Sequence, residues 1–261
     1  MVLRGAKMES KDIASLAVLA GEELLKSGAE TYRVEETMER IALACGAKRA
    51  ESLVLHTGLV LEVEAADGQC ITRICRVGAR SIHLDRIHKV NAVARRLEEG
   101  RTTPQQATAL LQRIARENRA VAVWLLACAA GLVGGPTVLL LGGTLEEGVA
   151  AFFVAAGMRW LLSWLTKYHA APFTLDLVGA MVVAFLGAWL GRAWEELSRD
   201  LIIVGGLMPL VPGVAITNAL RDLLAGDLMS GAARILEAAL TAVAVAMGVI
   251  LVLALPMRMG G

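Results

Sequence analysis

Paired cysteines, nucleotide-binding loops and charge in the second half are what this sequence lacks. The four cysteines, Cys45, Cys70, Cys75 and Cys128, form no CxxC pair. Neither a disulfide framework nor a zinc site is expected, and reduced thiols suit a cytoplasmic N-terminal part. No GxxxxGK[ST], GxSxG or HExxH stretch occurs, so ATP-driven transport by this chain alone is not expected. His83 and His88 stand five residues apart, which is not a ligand spacing on one helix face, so no metal or other cofactor is expected. A formal net charge of +1, with acids and bases interleaved, leaves no footprint for nucleic acid. The opening MVLRGAKMESKD has no apolar core, so no signal peptide is expected and the first apolar run would act as the insertion signal.

What is present is unevenly placed. Residues 1–119 hold 19 of the 26 Lys and Arg and 16 of the 25 Asp and Glu, although 56% of the chain is hydrophobic. The pattern predicts an α+β domain over 1–119 and a membrane domain over 120–261, mainly helical. In the first part, SKDIASLAVLAGEELLKS and ETYRVEETMERIALACG carry apolar residues at helical spacing, with Gly28 placed to end the first helix. From Ser52 the pattern turns to strands, with Asp67-Gly68 as a hairpin signal, and three short strands are expected. Two more helices follow, the second started by Thr103 and Pro104.

The apolar half divides into five runs near 120–141, 147–166, 172–193, 200–219 and 233–255, each about 20 residues and so about one bilayer thick. Arg113, Arg116 and Arg119 precede the first run, Lys167 follows the second, and Arg221 and Arg234 lie between the fourth and fifth, against Arg192, Arg199 and Arg258 on the other side. Positive charge favours the inside. The expected placement is therefore the cytoplasmic membrane, multi-pass, with the N-domain cytoplasmic and the C-terminus outside. Trp160, Trp164, Tyr168, Trp189 and Trp194 sit towards run ends, as interfacial aromatics do. Small residues at spacings of four, such as Gly131 and Gly135 or Ala180, Ala184 and Ala188, predict close helix packing in a bundle or homo-oligomer.

The fourth run contains its own breakers, Gly205, Gly206, Pro209, Pro212 and Gly213. In lipid, freed backbone groups need partners, so such a segment faces protein or a water-filled cavity, as the broken helices of transporters do. Thr217, Asn218, Arg221 and Asp222 follow, a hydroxyl, an amide, a cation and a carboxylate expected on one side of a continuing helix. These nine residues are the candidate substrate path, or else Arg221 and Asp222 are only the wet end of a span. Glu237, Asp222 and Asp176 are the candidates for proton coupling, because carboxylates are costly in a bilayer.

The stretches LLKSGAETYRVEETMERIALACG and LMPLVPGVAITNALRDLLAGDLMSGAARILEA resemble the N-terminal-type unit of the threonine/serine exporter family, and the resemblance covers essentially the whole chain. It singles out Ser27, Gly28, Ala29, Glu30, Arg33 and Glu35 in the N-domain, and Pro209, Pro212, Gly213, Asn218, Asp222 and Gly226 in the membrane part. It implies export of small polar metabolites by a secondary carrier driven by the proton gradient. Full-length members join this unit to a smaller membrane unit of four or five spans. A chain ending at Gly261 resembles the split form, in which that unit is a separate subunit and succinate is a substrate beside amino acids. The residues alone leave two rivals, a membrane-anchored enzyme with a hydrolase-like N-domain and a regulatory scaffold subunit.

Overall fold

A computed structural model describes residues 8–78, 81–117, 121–166 and 172–254. Arg119, Lys167 and Arg258, which bear on orientation, lie outside the described residues, as do Tyr168 and the outer ends of the first and fifth runs. The chain divides into two compact units, Met1–Arg119 with Thr217–Ile235, and Ala120–Ile216 with Leu236–Gly261.

The first unit opens with helices α1 (Ser10–Lys26) and α2 (Thr31–Ala44), continues with strands β1 (Arg49–Leu55), β2 (Gly58–Glu64) and β3 (Cys70–Arg76), and adds α3 (Leu84–Glu98) and α4 (Pro104–Arg116). The strands form an antiparallel sheet in the order β1-β2-β3, pairing Val54 with Leu59 and Leu59 with Cys75. Alternation puts Leu59, Leu61 and Val63 on one face, fully buried against the apolar stripe of α1 that includes Ile13, Leu16, Ala17 and Leu24. The opposite face leaves Leu53 and Ile74 exposed. Gly21 lets α1 and α2 approach, since a Cβ there would fall 2.2 Å from the Met38 sulfur. Thr103 caps α4 in a capping box with Gln106, ahead of Pro104. Burial pushes the Cys45 thiol up to about 11, which keeps it unreactive.

The second unit contains α5 (Val123–Leu140), α6 (Leu145–Leu165), α7 (Pro172–Ala193), α8 (Arg199–Leu207), a short 3-10 turn over Met208–Leu210, the start of α9 (Gly213–Ala225) and most of α10 (Leu228–Ala254). Among the described residues, four helices are long and apolar enough to cross a membrane, and a fifth crossing results if the bent pair formed by Arg199–Leu210 and Gly213–Ala225 counts as one. Much of their apolar surface, including Leu140, Phe153, Leu236 and Ile250, is exposed in the isolated chain. That much bare apolar surface belongs in lipid.

Close helix packing runs through glycine. A Cβ on Gly135 would fall 2.8 Å from the Gly148 carbonyl, and one on Gly134 2.8 Å from the Gly205 carbonyl. The α5, α6 and α8 backbones therefore touch with no side chain between them. Glu147 accepts the Thr144 N–H at 2.7 Å within the α6 capping box and the Ser198 N–H at 2.8 Å. One carboxylate thus ties the start of α6 to the start of α8.

Candidate functional site

The two stretches singled out in the sequence fold as two turns of the same kind. At the end of α1, Gly28 adopts φ +81, the Ala29 N–H reaches back to the Leu24 carbonyl and the Gly28 N–H to that of Leu25. At the end of α9, Gly226 adopts φ +95, with the Asp227 N–H on the Asp222 carbonyl and the Gly226 N–H on that of Leu223. Both are Schellman endings, and a side chain at either glycine would be strained. Each ends a helix abruptly enough for the next to start within a few residues. The first leaves the Gly28 and Ala29 carbonyls and the Thr31 N–H, in the opening turn of α2, without helical partners.

Residues about 190 positions away supply those partners. The Asn218 amide donates to the Gly28 carbonyl at 3.3 Å and the Arg234 guanidinium to the Ala29 carbonyl at 2.8 Å. The Thr31 N–H donates to Asp222 Oδ1 at 3.2 Å, and the Thr31 hydroxyl to Asp227 Oδ2 at 3.1 Å. Arg221 reaches Glu30 Oε1 at 2.6 Å, while Arg33 holds the other oxygen of Glu30 at 2.7 Å. Ser230 donates to the Val54 carbonyl at 3.5 Å. The SGAET turn is thus joined to the α9–α10 turn through its backbone and its side chains.

At the centre lies a buried ion pair. Asp222 is 0% exposed and Arg234 6%, with Arg234 Nε 2.9 Å from Asp222 Oδ2. The two atoms are near each other but not aligned as a hydrogen bond, so charge rather than directionality holds them. The Asp222 carboxylate also faces the positive N-terminal end of α2, which favours an anion there. Around the pair, Glu35 accepts the Val54 N–H at 2.7 Å and Glu39 accepts the Ser52 N–H and hydroxyl, which pins α2 to β1. Burial pushes the Glu35 carboxyl above the usual range, the Val54 N–H opposes that, and the negative charges of Asp227, Glu39 and Asp222 add to the rise. The Ser27 hydroxyl is buried without a partner among the described residues.

The helix break lies in the second unit and is chemically different. Gly205 and Gly206 sit inside α8, where a Cβ on the first would fall 2.5 Å from a Val138 methyl and one on the second 2.7 Å from a Val183 methyl. They serve close packing. The break itself falls over Pro209, Pro212 and Gly213, with a bend of 52° between the two helical pieces. Beside it runs an apolar groove of about 390 Å³ lined by residues that include Leu210, Pro212, Ala242 and Val249. Asp176 on α7 takes a hydrogen bond from Thr241 on α10.

The nine residues of the expected path therefore divide. Gly205, Gly206, Pro209, Pro212 and Gly213 belong to the second unit, and Thr217, Asn218, Arg221 and Asp222 to the first. Those four also differ in setting: Thr217 is exposed, Asn218 half-buried, Asp222 buried, and the Arg221 side chain 57% exposed. Glu237 is exposed on α10 and Asp176 half-buried on α7. The sequence reading left Thr31, Asp227 and Ser230 out. All three lie inside the two quoted stretches, Thr31 directly after Glu30 and Asp227 directly after Gly226, and that adjacency is the signal that points to them.

The family model for threonine/serine exporters, ThrE, matches residues 15–255. The chain belongs to the threonine/serine exporter family. Among its relatives are the "Probable succinate transporter subunit YjjP" of Klebsiella aerogenes, 25% identical over 95% of this chain and 96% of the relative, and the protein of the same name from Escherichia coli K12, 25% identical over 94% and 95%. The "Threonine/serine exporter" of Corynebacterium glutamicum is 22% identical over 86% of this chain but 47% of its own length. The chain thus spans about half of that exporter and nearly all of the subunit-sized relatives. No solved structure matches it. Members of the exporter family and these relatives are named as exporters and transporters, not enzymes, and membership together with the apolar helices makes this a membrane protein of the export class.

Proposed function

We propose that this chain is one subunit of a secondary exporter of small polar metabolites, threonine and serine or dicarboxylates such as succinate, coupled to the proton gradient. It works in the cytoplasmic membrane with a smaller membrane subunit of four or five spans, its N-terminal unit in the cytoplasm and its C-terminus outside. Support for two components comes from the relatives, one kind named a subunit and the other about twice as long. The observation that carries the reading is the joint between the SGAET turn and the α9–α10 turn. It fixes the end of the helix that leaves the Pro209–Gly213 break to the SGAET turn through hydrogen bonds made by Asn218, Asp222 and Arg234, the last two held to each other by a buried ion pair.

In this reading the break is the pivot and the joint is the latch. Rocking of α9 about Pro212 and Gly213 pulls on Asn218, Arg221 and Asp222, so the path opens only as the N-terminal unit moves with it. Gly205 and Gly206 hold the outer piece of the span against its neighbours, and Glu237, Asp222 and Asp176 are the carboxylates available to carry the coupled proton. The test is efflux of threonine, serine and succinate from loaded vesicles holding this chain with and without the smaller subunit. Gradient-dependent flux of at least one compound with both chains is expected. Absence of flux for all three, with both chains inserted, removes the proposal.

A further inference from the structure

A second polar feature of the first unit lies beside the joint and shares Arg33 with it. Between α2 and α3 lies a cavity of about 280 Å³ lined by residues that include Tyr32, Arg33, Glu36, Arg40, Asn91 and Arg95. It is just below the usual range of drug-sized sites, about 300–1,000 Å³, and so scaled to a small metabolite. The α2 residues recur at helical spacing and form one wall.

Charge accounting within the cavity leaves specific groups uncommitted. Arg33 is held by Glu30 at 2.7 Å and lies over the Tyr32 ring. Arg40 is taken by both oxygens of Glu98. Asn91 accepts from the Thr37 hydroxyl through its carbonyl oxygen at 3.4 Å, which leaves its amide protons available. Glu36 meets only the edge of Arg40, at 3.4 Å. The Arg95 guanidinium, on an exposed residue, has no carboxylate or hydrogen-bond partner among the described residues. One open guanidinium and one loosely held carboxylate therefore border a small polar cavity whose other charges are neutralised. That arrangement complements a zwitterion: a guanidinium binds a carboxylate in a two-pronged fork, and a carboxylate takes an ammonium.

We propose that this cavity binds a small α-amino acid, its carboxylate on Arg95 with Asn91 beside it and its ammonium on Glu36. Arg33, on the same wall, shares Glu30 with Arg221, so the occupant sits one ion pair away from α9. The site is separate from the transmembrane path, and it makes the N-terminal unit a sensor of the metabolite pool. The choice of amino acids as probes rests on the export reading; the cavity does not.

The full chain purified in detergent is titrated calorimetrically with L-threonine, L-serine and succinate. Saturable binding of an amino acid is expected. It weakens at least about tenfold in Arg95→Ala, the loss expected for a charge-assisted hydrogen bond. Glu36→Gln weakens amino acids but not succinate, and Arg96→Ala, one residue outside the cavity, changes nothing. Retained thermal unfolding transitions show that the variants are folded, and Arg95→Lys falls between Ala and the parent. No saturable amino-acid binding, or binding indifferent to Arg95, overturns the site. If vesicle efflux persists in that case, the export reading stands without it; if binding depends on Arg95 but no flux occurs, the site stands and the export reading falls.

Discussion

Asp222→Asn is the sharpest perturbation of the joint. The amide can still accept the Thr31 N–H, but it removes the charge that faces Arg234, which is 6% exposed. Removing one partner of a buried ion pair typically costs about 3–5 kcal/mol, because the other charge stays buried and uncompensated. Arg234→Met leaves Asp222 in the same position and has a cost of the same order. Changing both removes both charges, and a double replacement of this kind is often close to neutral. The singles are therefore expected to sum to well above the double, with a coupling of several kcal/mol. Asp222→Ala adds the lost helix cap, about 1 kcal/mol beyond Asn. At about 2–4 °C per kcal/mol for chains of this size, each single lowers the midpoint by roughly 10 °C. Thermal unfolding of the purified protein in detergent reads this directly. Singles costing under about 1 kcal/mol, or costs that simply add, would refute a buried pair at the core of the joint.

Three further outcomes follow from other parts of the structure. Arg221→Ala is expected to cost at most about 1 kcal/mol in the same assay, since its side chain is largely exposed and solvent screens its bridge to Glu30; a loss as large as that of Asp222→Asn would mean the pair is drier than its exposure indicates. For Glu35, folding raises the carboxyl above its unfolded value. The folded state therefore binds the proton more tightly, and stability falls as pH rises from the ordinary glutamate value through the raised one. Glu35→Gln, which can still accept the Val54 N–H, should flatten that fall and be relatively more stable at neutral pH; midpoints against pH check this, and parallel curves for variant and parent would count against it. Gly205→Ala places a methyl 2.5 Å from Val138 and 2.8 Å from the Gly134 carbonyl, so overpacking of about 1–3 kcal/mol is expected, measurable as a lowered midpoint, whereas Gly157→Ala, where nothing lies within 4 Å, should be silent.

Local pattern carried the elements, and distance hid the joint. The Thr103-Pro104 start of α4, the Gly28 ending of α1 and the alternation through β2 are written in a few adjacent residues, and the structure follows them. The apolar run ends near 219, and α9 continues past it to Ala225, as the polar cluster on a continuing helix requires, with α10 beginning at Leu228. Polar residues read as a span end because they suit water; here Asn218, Asp222 and Arg234 have protein partners, so the helices need not stop. Gly205 and Gly206 read as breakers in the sequence, but a missing side chain signals equally a break or a close approach, and only the neighbouring Gly134 and Val183 decide between them. Pairing of Asp222 with Thr31 and Arg234 involves long-range geometry that no helical or strand period records. The resemblance marked Gly28, Glu30, Asn218 and Asp222 as important without showing that they meet.

That long-range pairing has a consequence for synthesis. Thr31 and Asp222 are 191 residues apart, and at about 5–20 residues per second the ribosome needs roughly 10–40 s to make the second after the first. During that interval the SGAET turn has emerged with the Gly28 and Ala29 carbonyls and the start of α2 still lacking their partners, while the intervening apolar helices are threading into the bilayer. The N-terminal unit is therefore finished last, although it is made first. A chain cut after residue 119 represents that waiting intermediate, and its activity or solubility describes a stage of assembly rather than a detachable domain.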